Sequence, residues 1–276
     1  MSVERLRYAP SRAPTAPLED THAFRHCSTF PARRRDDHGG DHGRLRHRPG
    51  RARACAGRSY RSNVLRPNGT DLATLTGLRL AAVYDLRTPD AVAEDPDILP
   101  PGVGYANIDI FGRDLESEGV RTIRSAADAR AFMESMNRGF VHNEHERGAY
   151  ARLFTELANT QGPPLFHCNS GKDRTGWAAA ILQSIAGADR ATIMRDYVLT
   201  NEYSAETIKK KNEKLVAALG AERAPWYAPM MGVEKSYLEA GFAALDAEYG
   251  TVDKYLTEGL GLSGDTLARL KHKLVA

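Results

Sequence analysis

The sequence predicts an α/β fold in which a small, mainly parallel sheet is flanked by helices. Two short apolar runs, at residues 78–86 and 164–167, have the composition of strands buried on both faces. Each run is followed within about ten residues by a segment with helical spacing. Beyond residue 189 almost every segment has a helical pattern, and 276 residues suffice for one domain of this kind.

The first half of this domain alternates strands and helices. Residues 58–62 are compatible with a short strand, and Asn68-Gly69 marks a turn before a short helix. After the strand at residues 78–86, Thr88-Pro89 has the form of an N-cap followed by proline at the first helical position. Alternating apolar and polar residues then predict a strand over residues 105–111.

The second half is mostly helical. Ser125 and Asp128 resemble a capping box at the start of a helical region that extends to about residue 159, with a break near Gly139. Apolar residues recur at helical spacing after the strand at residues 164–167, and Gly187 ends that helix. The remaining predicted helices cover residues 189–199, 204–219, 233–249 and 263–273.

Residues 1–56 are predicted to be an irregular or disordered basic segment, and residues 57–276 a single domain. Residues 1–60 contain thirteen arginines and six acidic residues, whereas the whole chain has a net charge of +3. Residues 26–56 have neither helical nor strand periodicity, which indicates either a solvated insertion or a stretch read in the wrong frame. The arginines lack the aromatic interleaving of a base-stacking surface, so we expect no nucleic-acid partner.

Composition also limits the cellular setting. No apolar run approaches the ~20 residues of a membrane-spanning helix, so no stable membrane insertion is expected. The three cysteines, Cys27, Cys55 and Cys168, form neither a disulfide framework nor a zinc-binding pattern. We therefore expect a protein of a reducing, cytoplasmic compartment. The sequence does not indicate which oligomeric state the protein adopts.

The most informative stretch of the chain is His167-Cys168-Asn169-Ser170-Gly171-Lys172-Asp173-Arg174-Thr175-Gly176. A cysteine follows a strand, a tight five-residue loop comes next, and an arginine begins a helix. Loop amides and the helix N-terminus favour a bound anion and a cysteine thiolate. The arginine can donate two parallel hydrogen bonds to a phosphate. This arrangement predicts a thiolate nucleophile facing a bound phosphoryl group.

These residues resemble the signature of the protein tyrosine phosphatase superfamily, in its bacterial form. Further segments fall in similar order, namely residues 57–62, Asp85-Leu86-Arg87 and residues 232–238, so the resemblance covers about residues 57–276. It implies a phosphatase-like fold and metal-free hydrolysis of phosphotyrosine through a phosphocysteine. Phosphoserine, phosphothreonine and phosphoinositides are further implied substrates. Because the family includes a secreted member without an obvious signal peptide, signal-less secretion stays open.

The resemblance also implies roles for residues of the loop. Cys168 is the expected nucleophile, and Arg174 the clamp on the transition state. The phosphate-binding amides are expected along the loop, and Lys172 adds a cation that fits a lipid headgroup or simply faces solvent. His167 is expected to orient the loop, and Thr175 to support the leaving thiolate. The expected phosphate-binding residues are Asn169, Ser170, Gly171, Lys172, Asp173 and Arg174.

Two aspartates compete for the role of general acid. Asp114 follows the strand predicted at residues 105–111, where the family carries its acid, although Gly112-Arg113 intervenes. Asp173 lies inside the loop itself, where phosphoinositide phosphatases of the myotubularin type place theirs. Asp114 is preferred, and Asp85 is assigned a structural role through Arg87. No cofactor or metal is expected.

Two segments leave alternatives open. The family's domain begins with Asn-Phe-Arg-Asp and a hairpin, but this chain has Ala23-Phe24-Arg25-His26 followed by the irregular stretch. A catalytically inactive phosphate- or phosphoinositide-binding module is therefore one alternative function, and a rhodanese-like sulfurtransferase another. Residues 203–231, with Lys209–Lys211 and exposed-looking Trp226 and Tyr227, resemble a helical lid or else form an ordinary packing helix.

Overall fold

The sheet of this protein has four strands, all parallel, in the order β1-β4-β2-β3. The computed structural model describes residues 59–275, apart from the side chains of residues 116–118. The expectations for residues 1–56, including the departure at residues 23–26, lie outside the described residues. The strands are β1 (Tyr60–Ser62), β2 (Ala82–Asp85), β3 (Gly104–Asn107) and β4 (Pro164–His167).

The described helices surround this sheet and form most of the C-terminal half. A 3-10 turn (Ala228–Met230) follows α9, and a π turn (Tyr255–Gly259) follows α11. The α-helices are α1 (Gly69–Gly77), α2 (Pro89–Glu94), α3 (Leu115–Val120), α4 (Ala126–His142), α5 (Glu144–Asn159), α6 (Arg174–Ile185), α7 (Arg190–Val198), α8 (Thr200–Tyr203), α9 (Ala205–Tyr227), α10 (Lys235–Tyr249), α11 (Val252–Lys254) and α12 (Gly264–Val275). The predicted α/β class is confirmed.

Side-chain caps explain where several helices begin. At the start of α2, the Thr88 hydroxyl accepts a hydrogen bond from Ala91 N, and Pro89 occupies the first turn as predicted. Asn68 caps α1 and Asp189 caps α7 in the same way, through the amide three residues later. Each cap satisfies an amide that has no partner inside the helix.

The strand predicted over residues 105–111 is shorter than expected. Only Gly104–Asn107 pairs with β2. Beyond it, Asp109 Oδ1 accepts hydrogen bonds from the amides of Phe111 and Gly112, both at 3.0 Å. This side chain turns the backbone away from the ladder. The chain therefore leaves the sheet early and forms a loop at its carboxyl edge.

The helix break predicted near Gly139 is wrong by four residues. Gly139 lies inside α4, and the break occurs at Asn143, whose backbone is extended and whose side chain caps α5. A Cβ at residue 139 would lie 3.2 Å from Glu146 Oε2, so this glycine makes room for a carboxylate. The stop predicted at Gly220 is a kink instead, with φ of 79°, and α9 continues to Tyr227.

The main core packs α4, α5, α6 and α10 against one face of the sheet. Its centre is Trp177, fully buried, whose ring lies 5.4 Å from Phe242 and 6.0 Å from Phe140. Tyr255 donates from its hydroxyl to Phe140 O at 3.0 Å. Aromatic side chains each bury a large apolar area, so this cluster contributes strongly to the core. This packing fixes α6, and with it the loop that precedes α6.

Candidate active site

The predicted nucleophile lies at the carboxyl end of β4, between two other strands. Cys168 follows the last residue of the strand and is 2% exposed. The loop of residues 169–173 then leads into α6, which begins at Arg174. Ligands of parallel sheets bind at this edge, where loops and helix N-termini meet. The strand, loop and helix predicted around Cys168 are thus present in the expected order.

The loop is packed tightly against the end of β1. Gly171 has a φ of 67°, and a Cβ there would lie 2.6 Å from Ser62 O. Val64 N donates to Asn169 O at 3.2 Å. Glycine is required at residue 171 because both the left-handed conformation and the backbone contact exclude a side chain.

Arg174 is buried beneath the loop. Its side chain donates from Nη1 to Leu86 O at 3.4 Å, and its guanidinium carbon lies 4.5 Å from the centre of the Phe111 ring. The Tyr150 hydroxyl donates to Arg174 O at 3.0 Å. The contacts with Leu86 O and Phe111 hold the guanidinium in one orientation, which lowers the entropy lost when it binds an anion, while Tyr150 binds the backbone of Arg174.

A buried ion-pair network supports the loop from the side of β2. Arg87 donates from Nη2 to Asp85 Oδ2 at 2.6 Å and to Asp97 Oδ2 at 3.2 Å. His167 Nε2 lies 3.0 Å from Asp97 Oδ2, and His167 Nδ1 lies 3.2 Å from Cys168 O. Burial would raise the pKa of Asp85, but hydrogen bonds from Arg87 outweigh it and the pKa is lowered. The placement of His167 fits the expected loop-orienting role, and that of Asp85 the structural one.

The cluster of two aspartates and a histidine in this network has the residue types of a metal site, but its carboxylates are already paired. Oxygen and nitrogen atoms of Asp85, Asp97 and His167 come within 4.8 Å of one another. However, the Arg87 guanidinium already donates to both carboxylates, so it occupies oxygens that an ion would need and offsets one of their two negative charges. We therefore describe this cluster as a structural ion-pair network.

The two candidate acids lie in different surroundings. Asp114 is exposed and lines a cavity of about 60 Å³ together with Phe111, Asn169 and Arg174. Asp173 forms a 2.7 Å ion pair with Lys172. Burial raises the pKa of the nearby Tyr197, and the charge of Asp173 adds to that rise. Lys172 is itself buried, so the solvent-facing alternative for this lysine is wrong.

Thr175 is fully buried at the first turn of α6. Its hydroxyl oxygen has no hydrogen-bond partner within the part of the chain that the structure describes. A buried hydroxyl without a partner costs free energy unless a ligand or a charged group uses it. The side chain is therefore available for an interaction formed only during reaction.

Helix α9 lies over the loop from the other side. Lys211 donates from Nζ to Ser170 Oγ at 2.8 Å. A cavity of about 160 Å³ separates the helix from the loop, and Asn169, Ser170 and Lys172 line it together with Lys211. Both the helical lid and the packing helix expected for residues 203–231 are compatible with this position. The exposure expected of Tyr227 is wrong: it packs in a satellite core with Ile123 and Ala129.

Sequence reasoning missed three residues of the site. Asp97 lies in an irregular loop and carries no pattern that distinguishes it. Phe111 and Tyr150 belong to ordinary apolar stripes, and only the fold brings them to Arg174. Lys211 was singled out on α9, but its contact with Ser170 depends on the path of that helix.

Within residues 59–275, no helix combines the length and the apolar character that crossing a membrane requires.

Comparisons with known proteins agree with this geometry. The model of the tyrosine phosphatase family matches residues 40–276. A tyrosine-protein phosphatase of Nostoc commune is 30% identical over 214 residues, covering 74% of this chain and 69% of the relative. The triple specificity protein phosphatase PtpB of Mycobacterium tuberculosis is 29% identical over 253 residues, covering 79% of this chain and 91% of the relative. The chain therefore belongs to the tyrosine phosphatase family and is a phosphoric monoester hydrolase of the protein tyrosine phosphatase type.

Proposed function

We propose that this phosphatase works through a covalent phosphocysteine on Cys168. The observation that carries the proposal is the placement of a buried cysteine and a buried arginine at the two ends of one tight loop, at the carboxyl edge of the sheet. The N-terminus of α6 and the Arg174 guanidinium both stabilise negative charge there. Such a field favours the thiolate and binds the substrate dianion.

In the first step the Cys168 thiolate attacks phosphorus opposite the ester oxygen. The S–P bond forms as the P–O bond breaks, and the electron pair of that bond goes to the leaving oxygen. Asp114, protonated, donates its proton to this oxygen, so an alcohol or phenol departs. Arg174 and the loop amides stabilise the charge on the three equatorial oxygens.

In the second step water hydrolyses the intermediate. The Asp114 carboxylate accepts a proton as the water oxygen bonds to phosphorus, the S–P bond breaks, and inorganic phosphate leaves. The unpartnered Thr175 hydroxyl is assigned to donate a hydrogen bond to the departing thiolate. A thiolate stabilised in this way is a better leaving group.

The surroundings of the two aspartates favour Asp114 as the acid. It lines one small cavity with Arg174 and stays exposed, so it can exchange protons with solvent and reach a leaving oxygen. Asp173 pairs with Lys172 instead, and this contact directs its carboxylate to the lysine rather than to a leaving oxygen.

The proposed substrates are phosphotyrosine proteins, with phosphoserine, phosphothreonine and phosphoinositides as further classes. Support for the wider range comes from the cavity between the loop and α9, where the cationic side chains of Lys172 and Lys211 line the wall beside Asn169 and Ser170 of the loop. Because a thiolate nucleophile needs a reducing environment, we place the reaction in the cytoplasm.

The test is hydrolysis of p-nitrophenyl phosphate by the full chain in the presence of EDTA. Turnover should survive EDTA and disappear in Cys168→Ser. Asp114→Asn should lower kcat by about 10²-fold or more, because a positioned general acid contributes at least that much. Asp173→Asn is the matched control and should retain most activity.

Two results would overturn parts of this proposal. A folded but inactive wild type would favour a phosphate-binding module. If Asp173→Asn rather than Asp114→Asn abolishes turnover, the acid is the residue of the loop.

A further inference from the structure

The loop that carries Asp114 is held against the N-terminus of α5. His145 Nε2 lies 3.1 Å from Asp109 O, at the start of this loop. Gly112 packs against the same imidazole, since a Cβ at residue 112 would lie 2.6 Å from His145 Nε2. The backbone just before Arg113 and Asp114 therefore rests directly on the first turn of α5.

The next residue of that turn, Glu146, is an anomaly. It is 2% exposed, and its Oε2 has no hydrogen-bond partner among residues 59–275. A buried carboxylate without partners is strongly unfavourable unless a charge compensates for it. The small Gly139 on α4 makes the room for this carboxyl group, so the chain accommodates it rather than filling the space with an apolar side chain.

A positive charge on the acid loop, that of Arg113, partly offsets the cost of burying this carboxylate. Burial raises the pKa of Glu146 to about 7, and the positive charge of Arg113 opposes that rise. The other titratable groups that face it are Tyr150 on α5 and Tyr255 on the π turn, whose own pKa values are raised by burial and, to a smaller extent, by Glu146. Arg113 is exposed and adjacent to Asp114, so an attraction between Glu146 and Arg113 acts directly on the acid loop.

We propose that Glu146 is a positioning residue for the reaction: ionised, it holds Arg113 and thereby keeps Asp114 beside Arg174. Protonation removes the attraction and loosens the loop. The inference rests on the proposed function, because it needs Asp114 to be the general acid. It adds a residue from the buried side of α5 that touches neither substrate nor nucleophile.

The decisive variant is Glu146→Gln, which keeps the shape and removes the charge. The ratio of wild-type to variant kcat should be close to one below pH 6 and rise to about tenfold at pH 8, with a midpoint near pH 7 where Glu146 ionises. The loss should be larger for phenyl phosphate than for p-nitrophenyl phosphate, because the poorer leaving group depends more on the acid. Glu144→Gln, exposed on the same turn, is the matched control and should leave the ratio flat.

Melting curves separate this role from damage to the fold. The pKa of Glu146 is higher in the folded than in the unfolded state, so its contribution to stability falls as pH rises from about 4.5 to 7. Because glutamine does not ionise, the Glu146→Gln variant does not lose this stability as the pH rises. Its melting temperature relative to wild type should therefore increase between pH 5 and pH 8, while its kcat relative to wild type decreases.

A double-mutant cycle tests the partner. Arg113→Met should lower kcat at pH 8 by a similar factor, and adding Glu146→Gln should change it no further. Turnover that depends on Cys168 and Asp114, together with a wild-type to Glu146→Gln ratio that stays flat across pH, would overturn the inference and leave the proposed function intact. A wild type no more active than Cys168→Ser would overturn both.

Discussion

The ion-pair network behind the catalytic loop provides the sharpest test of how this fold supports its site. Arg87 is 1% exposed and donates to the carboxylates of Asp85 and Asp97, which are buried as well. Asp97 in turn lies beside His167, the residue before Cys168. Replacing Arg87 with methionine keeps most of the volume but leaves two buried carboxylates without their cation.

The expected loss of stability follows from this burial. Removing one partner of a buried ion pair costs about 3–5 kcal/mol, because the remaining charge is uncompensated. For a protein of this size that is a fall of about 10 °C in melting temperature. The pKa of Asp85 is lower in the folded protein than in the unfolded chain. Its ionised form therefore stabilises the fold at pH values above the unfolded-state pKa, and this stabilisation is lost as the pH falls through the folded-state pKa. In Arg87→Met the pKa of Asp85 rises, so the variant should be closest to wild type at low pH.

The assay is thermal unfolding at about pH 3.5, below the unfolded pKa of Asp85, and at about pH 7, with kcat measured on the folded protein. The difference between Arg87→Met and wild type should be larger at pH 7, and kcat should fall because His167 loses a fixed partner. Arg152→Met, exposed on α5, is the matched control. Adding Asp85→Asn to Arg87→Met should recover part of the stability. Equal losses at both pH values, or no recovery, would refute the argument that unpaired charge is the cause.

Two further predictions concern the loop and its lid. Gly171→Ala should destabilise the protein by about 2–4 kcal/mol and abolish turnover, because residue 171 has a left-handed conformation and the new methyl group would collide with Ser62 O. Normal melting and activity of this variant would contradict the prediction. Lys211→Met should weaken competitive inhibition by inorganic phosphate about three-fold at low salt, and less at high salt, because a cation bonded to Ser170 is lost. Lys214→Met, exposed one turn along α9, is its control; equal inhibition constants for both variants would contradict the prediction.

The fold was predictable where local chemistry and packing agree. The strand entering Cys168 and the capped start of α2 are present as expected, because buried apolar runs and N-caps act over a few residues. The errors arise where a distant contact decides. Gly139 resembles a helix breaker until the carboxylate of Glu146 is placed against it. The predicted strand over residues 105–111 stops early because Asp109 binds backbone amides that a ladder would otherwise use.

The same division holds for the site. Cys168 and Arg174 belong to one contiguous motif, so their proximity follows from a loop of five residues. Asp97 and Glu146 come from separate elements, and no local pattern distinguishes them from surface acids. The side chain of Asp97 and the whole residue Glu146 are each only 2% exposed. This burial is the feature that connects them with the loops around Cys168. Supporting residues of this kind become visible through the fold alone.

The proposed catalytic loop is contacted from three directions, which bears on how it can stabilise charge. The segment after β1 contacts it through Val64 N, His167 lies beside Asp97 of the buried network, and the Tyr150 hydroxyl binds the backbone at the start of α6. A loop with one anchor would reorganise when the phosphoryl group gains charge, and that reorganisation would reduce the stabilisation. In the proposed mechanism these anchors would orient the loop and the Arg174 guanidinium before substrate arrives, which is the condition for electrostatic catalysis. The acid loop is anchored separately, through Asp109 O and Gly112 at His145, and in our proposal its alignment also depends on the charge state of Glu146.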